Sequence, residues 1–267
     1  MKILIMGTGR MGTWLTEEFC LNHTVGVFDT NREKLKHFIE VERFTDLSAV
    51  RGFQPDMVIN AVSLSATKDA FNAVLPFLSN HCMLADITSV KGDLKNYYKE
   101  AKHPFVSLHP MFGPTFSNTR NLEEENAIII SESCPEGKDF FRELFEKLNL
   151  RIFEHSFQEH DECISYSLSV PFASSLVFAA CMQPQEAPGN TFKKHLQIAK
   201  GLLSQDESLV TEVLLNPRTL SQIEAVANRL AFLTHIIKEK DSDELGVFLK
   251  KLKTNMAECE AIMEPRK

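Results

Sequence analysis

The amino-acid sequence predicts an α/β fold, a doubly wound parallel sheet followed by a second, all-helical C-terminal domain. Over the first 150 or so residues, short apolar runs alternate with amphipathic stretches, as strands and helices do when helices cover both faces of a parallel sheet. A glycine-rich turn, Gly7-Thr8-Gly9-Arg10-Met11-Gly12, joins the first apolar run to the first amphipathic stretch. After Phe153 the strand signals stop and helical patterns take over.

The apolar runs at 2–6, 24–28, 57–62, 83–87, 105–108, 127–130 and 151–153 are the expected strands. Between them, 11–20, 67–78, 92–101 and 135–148 carry the spacing of helices with one buried face. Beyond the sheet, a helical pattern begins around Glu159 and continues through 165–181, and the proline- and glycine-bearing segment 183–189 reads as a loop. Asn216-Pro217 opens a helix reaching about Glu239, and a last helix is expected over 243–263. The expected domains are therefore a dinucleotide-binding Rossmann-type domain at 1–156 and a helical substrate and dimerisation domain at 157–267. A helical domain of roughly 110 residues is too small to close a cleft unaided, so it is expected to pack on the sheet domain and on a second copy of the chain, giving a homodimer.

Composition narrows the function. A chain of 267 residues with 43% hydrophobic content buries a substantial core, so disorder is not expected. The formal net charge of −7 is spread along the chain without a basic block, which argues against a nucleic-acid partner or a polybasic membrane surface. No run reaches the roughly 20 consecutive apolar residues of a membrane span. The first apolar run is too short for a secretory signal. Cys20, Cys82, Cys134, Cys163, Cys181 and Cys259 show neither a Cys-x-x-Cys pair nor metal-ligand spacing, and they read as reduced thiols in a cytoplasmic protein with no metal.

The glycine turn has its physical meaning from its place between a strand and a helix. Gly7 permits the tight turn, Gly9 lets the backbone approach a pyrophosphate, and Gly12 lets the helix pack closely on the strand. The phosphates then lie at the positive end of the helix dipole. Asp29, just past the run 24–28, fits an acid that accepts hydrogen bonds from an adenosine ribose and repels the extra phosphate of NADP. NAD is therefore expected in preference to NADP, although Arg32 nearby is a group that can pair with such a phosphate. Without a cofactor, Asp29 reads as a cap for the helix beginning near Asn31.

Two later segments carry chemistry. Asp86-Ile87-Thr88-Ser89-Val90-Lys91-Gly92 ends one strand and Ser107-Leu108-His109-Pro110-Met111-Phe112-Gly113-Pro114 ends another. Ligands of open parallel sheets bind outside the carboxyl ends of the strands, so both segments are expected beside a nicotinamide. Together with the glycine turn and Glu159-His160-Asp161, these segments resemble the prephenate and arogenate dehydrogenase family, in order and spacing over nearly the whole chain. The resemblance implies NAD-dependent oxidation of a ring hydroxyl with loss of carbon dioxide, on the route to tyrosine. It assigns His109 as the catalytic base that takes the hydroxyl proton, a task for which neutral imidazole is suited near pH 7. It assigns Ser89 as the group that hydrogen-bonds the substrate hydroxyl, and His160 and Asp161 match a family pair expected to anchor a helix at the domain junction.

The chain departs from the family pattern at two places. Phe172 stands where one branch has a substrate-binding histidine, and an apolar ring cannot replace that hydrogen bond. Counting back from Ser204-Gln205-Asp206, Lys193, with Lys194 beside it, falls where another branch has a basic residue, usually arginine, that holds a substrate carboxylate. Lysine supplies a point charge and not a bidentate fork. The competing readings are another reductase of this two-domain kind, acting on a β-hydroxy acid or a cyclic imine, and a dinucleotide-binding regulator without catalysis.

Overall fold

A computed structural model of the protein describes residues 1–113, 122–123, 125–205 and 207–263. Pro114 of the His-Pro-Met string and Asp206, from which Lys193 is counted, lie outside the described residues. The strands β1 (Lys2–Met6), β2 (Thr24–Phe28), β3 (Glu42–Phe44), β4 (Met57–Asn60), β5 (Met83–Asp86), β6 (Phe105–Pro110), β7 (Asn126–Ile130) and β8 (Arg151–His155) form one sheet in the order β3-β2-β1-β4-β5-β6-β7-β8. From β3 across to β6 all neighbours are parallel, β7 runs antiparallel to β6, and β8 is parallel to β7. Helices α1 (Arg10–Cys20), α2 (Arg32–Leu35), α3 (Val50–Phe53), α4 (Leu64–Val74), α5 (Leu94–Ala101) and α6 (Pro135–Lys147) connect the strands. After the sheet come α7 (Phe157–Ser167), α8 (Ser169–Cys181), α9 (Asn190–Leu203), α10 (Glu207–Leu214), α11 (Thr219–Glu239) and α12 (Ser242–Met263).

The period of two along each strand divides the core between the two faces of the sheet. Ile3 and Ile5 pack on one side with Trp14, Leu15 and Phe19 of α1 and with Phe141 and Phe145 of α6. Leu4 and Met6 pack on the other with Phe71 and Val74 of α4 and with Leu94 and Tyr98 of α5. The alternation of expected strands and helices thus becomes a sheet wound on both faces.

Several details differ from the sequence expectation. β3 was not foreseen: it has only three residues, of which Phe44 alone is buried, too few for a period to show. β6 runs on through His109 and Pro110, because β7 pairs with it, His109 opposite Ile128 and Pro110 opposite Ala127. The helical run 165–181 breaks at Leu168, since Pro171 has no backbone N–H to offer the carbonyl of Ser167 and so belongs in the first turn of a new helix.

The chain divides into two compact units, Met1–Leu220 and Ser221–Lys267, and α7 to α10 fall in the first. Within the stretch Phe157–Cys181 an 18-residue window reaches a mean hydropathy of 1.5, so the stretch is long and apolar enough to cross a membrane by composition alone, against the expectation that no such run exists. Its first half is engaged elsewhere: Phe157, His160, Ile164 and Ser165 of α7 are buried. The exposed apolar remainder, α8, has 13 residues, short of the roughly 20 that a span requires.

Candidate active site and dinucleotide cradle

The glycine turn is built as its sequence suggests, for three separate reasons. Gly7 sits at φ +91°, and a Cβ there would meet Val62 Cγ1 at 2.8 Å and the Ala61 carbonyl oxygen at 2.9 Å. A Cβ on Gly12 would lie 1.9 Å from the carbonyl oxygen of Gly7, so α1 approaches the turn to a distance only glycine allows. At Gly9, the N-cap of α1, a Cβ would point into open space, which is the room a phosphate needs. The first turn of α1 has no side-chain cap and no acidic residue, so its amides face outward with the positive end of the helix dipole. Arg10 is exposed on that turn, whereas Met11 packs against the core beneath it.

Asp29 closes the cradle from the end of β2. Its Oδ2 accepts from the backbone N–H of Thr8 and from Thr8 Oγ1, both at 2.8 Å, and its Oδ1 accepts from Asn31 N–H at 2.8 Å. Burial pushes this carboxyl up, but the donors at Thr8 and Asn31, with Lys34 at 3.9 Å, bring it below the ordinary carboxylate value. Asn31, not Asp29, caps α2. Arg32 donates to the Thr45 carbonyl and is exposed.

Farther along the sheet, the loop after β5 is clamped from inside. The side chains of Lys91 and Asp86 are both fully buried, with Nζ 2.7 Å from Asp86 Oδ1. The Lys91 ammonium also donates to the Leu108 carbonyl at 2.6 Å, while Asp86 accepts from Thr88 Oγ1 at 2.7 Å and from Tyr98 OH at 2.6 Å. Burial raises the Asp86 carboxyl, yet Lys91 and Tyr98 hold it below its usual value, so the pair is an ionised strut between β5 and β6. Ser89 rides on the closed loop, half-buried, its hydroxyl without a partner among the described residues.

His109 stands on β6, next to β5 in the sheet, and is 5% exposed. Its Nδ1 lies 2.9 Å from Nε2 of His160 on α7, and His160 Nδ1 lies 2.9 Å from Asp161 Oδ1. Asp161 in turn accepts the backbone N–H groups of Lys91 at 2.8 Å and Gly92 at 2.9 Å. Burial, then the neighbouring His160 and Lys91, drives His109 well below the ordinary imidazole value, so it is neutral near pH 7. The capping box at Ser156 and Glu159 starts α7 at the angle that brings His160 in.

The structure therefore joins His109 to the loop carrying Ser89, and joins both to His160 and Asp161, for which the sequence suggested only helix anchoring. Polarity alone does not single the pair out, because His160 and Asp161 lie within the continuous polar run 158–162, of which His160 alone is buried. The pairing of Asp86 with Lys91 is not written in the segment that carries them. Lys193 and Lys194 are exposed on α9, and no hydrogen bond or ion pair joins either to the His109 cluster. Phe172 packs with Val90, Met111, Ile164 and Val213, an apolar patch made partly of residues flanking Ser89 and His109.

The order of strands and the turn leading into α1 place the chain among the Rossmann-type dinucleotide-binding proteins. Residues 15–150, about half of the chain, match the family described as prephenate dehydrogenase, nucleotide-binding domain. The chain belongs to the prephenate dehydrogenase family. It is 23% identical over 261 residues to a probable arogenate/prephenate dehydrogenase of Methanocaldococcus jannaschii, covering 90% of this chain and 57% of that protein, so it spans little more than half of that relative's length. In three dimensions it resembles prephenate dehydrogenase of Aquifex aeolicus, solved with hydroxyphenyl propionate and NAD+, at a TM-score of 0.81 and 21% identity over 97% of this chain and 98% of that one. Arogenate dehydrogenase of Synechocystis follows at a TM-score of 0.72 and 17% identity, over 97% and 99% of the two chains.

Proposed function

We propose that the protein is an NAD-dependent dehydrogenase that oxidises prephenate, or its amino counterpart arogenate, at the ring hydroxyl with loss of carbon dioxide, as a step of tyrosine synthesis. The observation that carries this reading is His109: a buried, neutral imidazole, bound through Nδ1 to His160, in a chain of this family. The ring nitrogen left for a substrate is Nε2. It takes the hydroxyl proton as the carbinol becomes a carbonyl, and the ring then becomes aromatic as the carboxylate leaves as carbon dioxide. Ser89, on its clamped loop, hydrogen-bonds the same hydroxyl and holds it toward the base.

The cradle fits a dinucleotide. Gly9 leaves the room for the pyrophosphate, Gly7 and Gly12 let the turn form and α1 approach it, Thr8 holds Asp29 through its N–H and Oγ1, the amides of Arg10 and Met11 face the phosphates, and the ionised Asp29 takes the ribose hydroxyls. When bound, NAD supplies the hydride acceptor. Ionised Asp29 disfavours the additional phosphate of NADP, and Arg32 is engaged with the Thr45 carbonyl. Lys193 and Lys194 are the candidate cations for a substrate carboxylate, while Phe172 adds an apolar wall in place of a hydrogen bond.

The same reading includes a cytoplasmic homodimer acting on a small molecule, with neither nucleic acid nor membrane as a partner. Six unpaired cysteines suit a reducing compartment, and the exposed apolar side chains of α8 and α9, such as Val177 and Ile198, suit burial against a second copy.

The test is to mix the protein with NAD and either prephenate or arogenate and follow the absorbance of the reduced nicotinamide. A rise with one of the two substrates is expected. No rise with either, in a protein that still binds NAD, leaves the regulator reading in place of the enzyme.

A further inference from the structure

The hydrogen bonds around His109 form a chain whose direction can be derived. The carboxylate of Asp161 accepts two backbone N–H groups, from Lys91 at 2.8 Å and Gly92 at 2.9 Å, and these groups can only donate. Oδ1, which takes the Lys91 N–H, also faces His160 Nδ1 at 2.9 Å. A carboxylate so engaged is an acceptor, so His160 carries its proton on Nδ1. Burial first, and the Lys91 ammonium with it, lowers His160 below the usual imidazole value in spite of Asp161, which leaves it neutral with a lone pair on Nε2. His109 Nδ1 lies 2.9 Å from that lone pair and must donate to it. A neutral imidazole has one N–H. His109 therefore bears its proton on Nδ1, and Nε2 holds the lone pair.

We propose that His160 and Asp161 are positioning residues that fix the tautomer and ring orientation of His109, making Nε2 the proton-accepting atom. The reverse arrangement would set a lone pair of His160 against the Asp161 carboxylate at a distance where two acceptors repel. The helix brings a second consequence. The groups that anchor Asp161 are the backbone amides that follow Ser89, so one carboxylate registers both the base and the hydroxyl-binding serine against α7. Once Nε2 takes a proton, the positive ring donates more strongly through Nδ1, and the stabilisation passes to His160 and then to Asp161 without either of them touching the substrate.

The effect on turnover rests on the reading of His109 as the base; the tautomer does not, and the experiment separates them. In the full chain labelled with 15N-histidine, long-range 1H–15N spectra distinguish a protonated from an unprotonated ring nitrogen, and His109→Asn assigns the signals. The expected result is His109 protonated at Nδ1 in the parent protein. In His160→Leu, which leaves His109 Nδ1 without an acceptor, the proton is expected to shift toward Nε2. Turnover should fall roughly 10-fold or more, less than the loss on removing the base, with the KM of the substrate little changed. His160→Gln, whose side-chain oxygen can accept from His109 Nδ1, should recover part of the loss. A parent protein with the proton on Nε2 overturns the proposal, as does an unchanged tautomer in His160→Leu. Should His160→Leu not fold, the parent spectrum decides alone. The expected tautomer in a protein inactive on prephenate and arogenate would sink the substrate reading and leave this one standing.

Discussion

At the scale of single residues, burial sets the behaviour of the site. An imidazole in water changes charge near pH ~6.5, and residue type alone places the activity limb of His109 there. The fold moves it: enclosed among His160, Lys91 and the sheet, His109 is held well below that value. The dependence of kcat/KM on pH is therefore expected to show no His109 limb near neutrality, activity falling only as the pH drops well below the ordinary imidazole range. Steady-state rates measured from mildly acid to neutral pH check this. His109→Asn keeps a polar side chain of similar reach without a basic nitrogen, and turnover should fall roughly 100-fold to 10,000-fold. NAD affinity, measured by calorimetry on the same variant, should stay near the parental value, since His109 is remote in sequence and role from the glycine cradle. His109 was legible in the sequence because of the string around it, whereas its charge state was not, because desolvation depends on what covers it.

Elements carry the next group of consequences. The meeting of β1 and α1 depends on a contact of 1.9 Å between an added Cβ at Gly12 and the Gly7 carbonyl, a backbone clash that no rotamer relieves. Gly12→Ala is expected to push α1 off the turn, weakening NAD binding at least ~10-fold, a change of about 1.4 kcal/mol, and isothermal titration reads it directly. The β5 to β6 connection depends instead on charge. Lys91→Met would leave Asp86 ionised and unpaired where its side chain has no exposure, and breaking one partner of a buried pair costs about 3–5 kcal/mol. Urea denaturation of that variant should show a midpoint shift of this order, and the loop bearing Ser89 should lose its order with it. Neither the strut nor its reach to the Leu108 carbonyl followed from the segment Asp86 to Gly92 read as a string. A lysine five residues after an aspartate is usually solvated, and only the closing of the loop under α5 and Tyr98 excludes water from both.

For the whole molecule, stability and assembly follow from the same burial. His109 and His160 both have folded values below the unfolded one near pH ~6.5. The unfolded chain then binds more protons in the interval beneath that value, so their contribution is fully present above it and is lost as the pH falls toward the folded values. The expected slope is about 1.4 kcal/mol per pH unit for each imidazole, and denaturation followed at several pH values between mildly acid and neutral measures it. A replacement of both histidines by neutral residues should flatten the slope. Assembly is the other expectation at this scale. Val177 on α8, Ile198 on α9 and Leu203 at the end of α9 are more than half exposed, and a chain with such helices is expected to be a dimer at micromolar concentration. A monomeric mass by light scattering would count against the homodimer.

The sequence by itself determined the class of fold and the strand-turn-helix of the cradle. Those features are local: a period of two or 3.6 is written in neighbouring residues, and a positive φ or a close approach demands glycine where the chain turns. The helical residues after the sheet are legible for the same reason, and Pro171 is the local mark of the break before α8. Only the tertiary structure decided that His160 meets His109 across 51 residues and that Asp161 holds Lys91 across 70. Those distances are set by strand order, by β7 pairing with the far half of β6 and by the angle at which α7 leaves the sheet. A hydrogen bond between residues so far apart has no periodicity to announce it, and the shift it imposes on an imidazole depends on the water that packing removes.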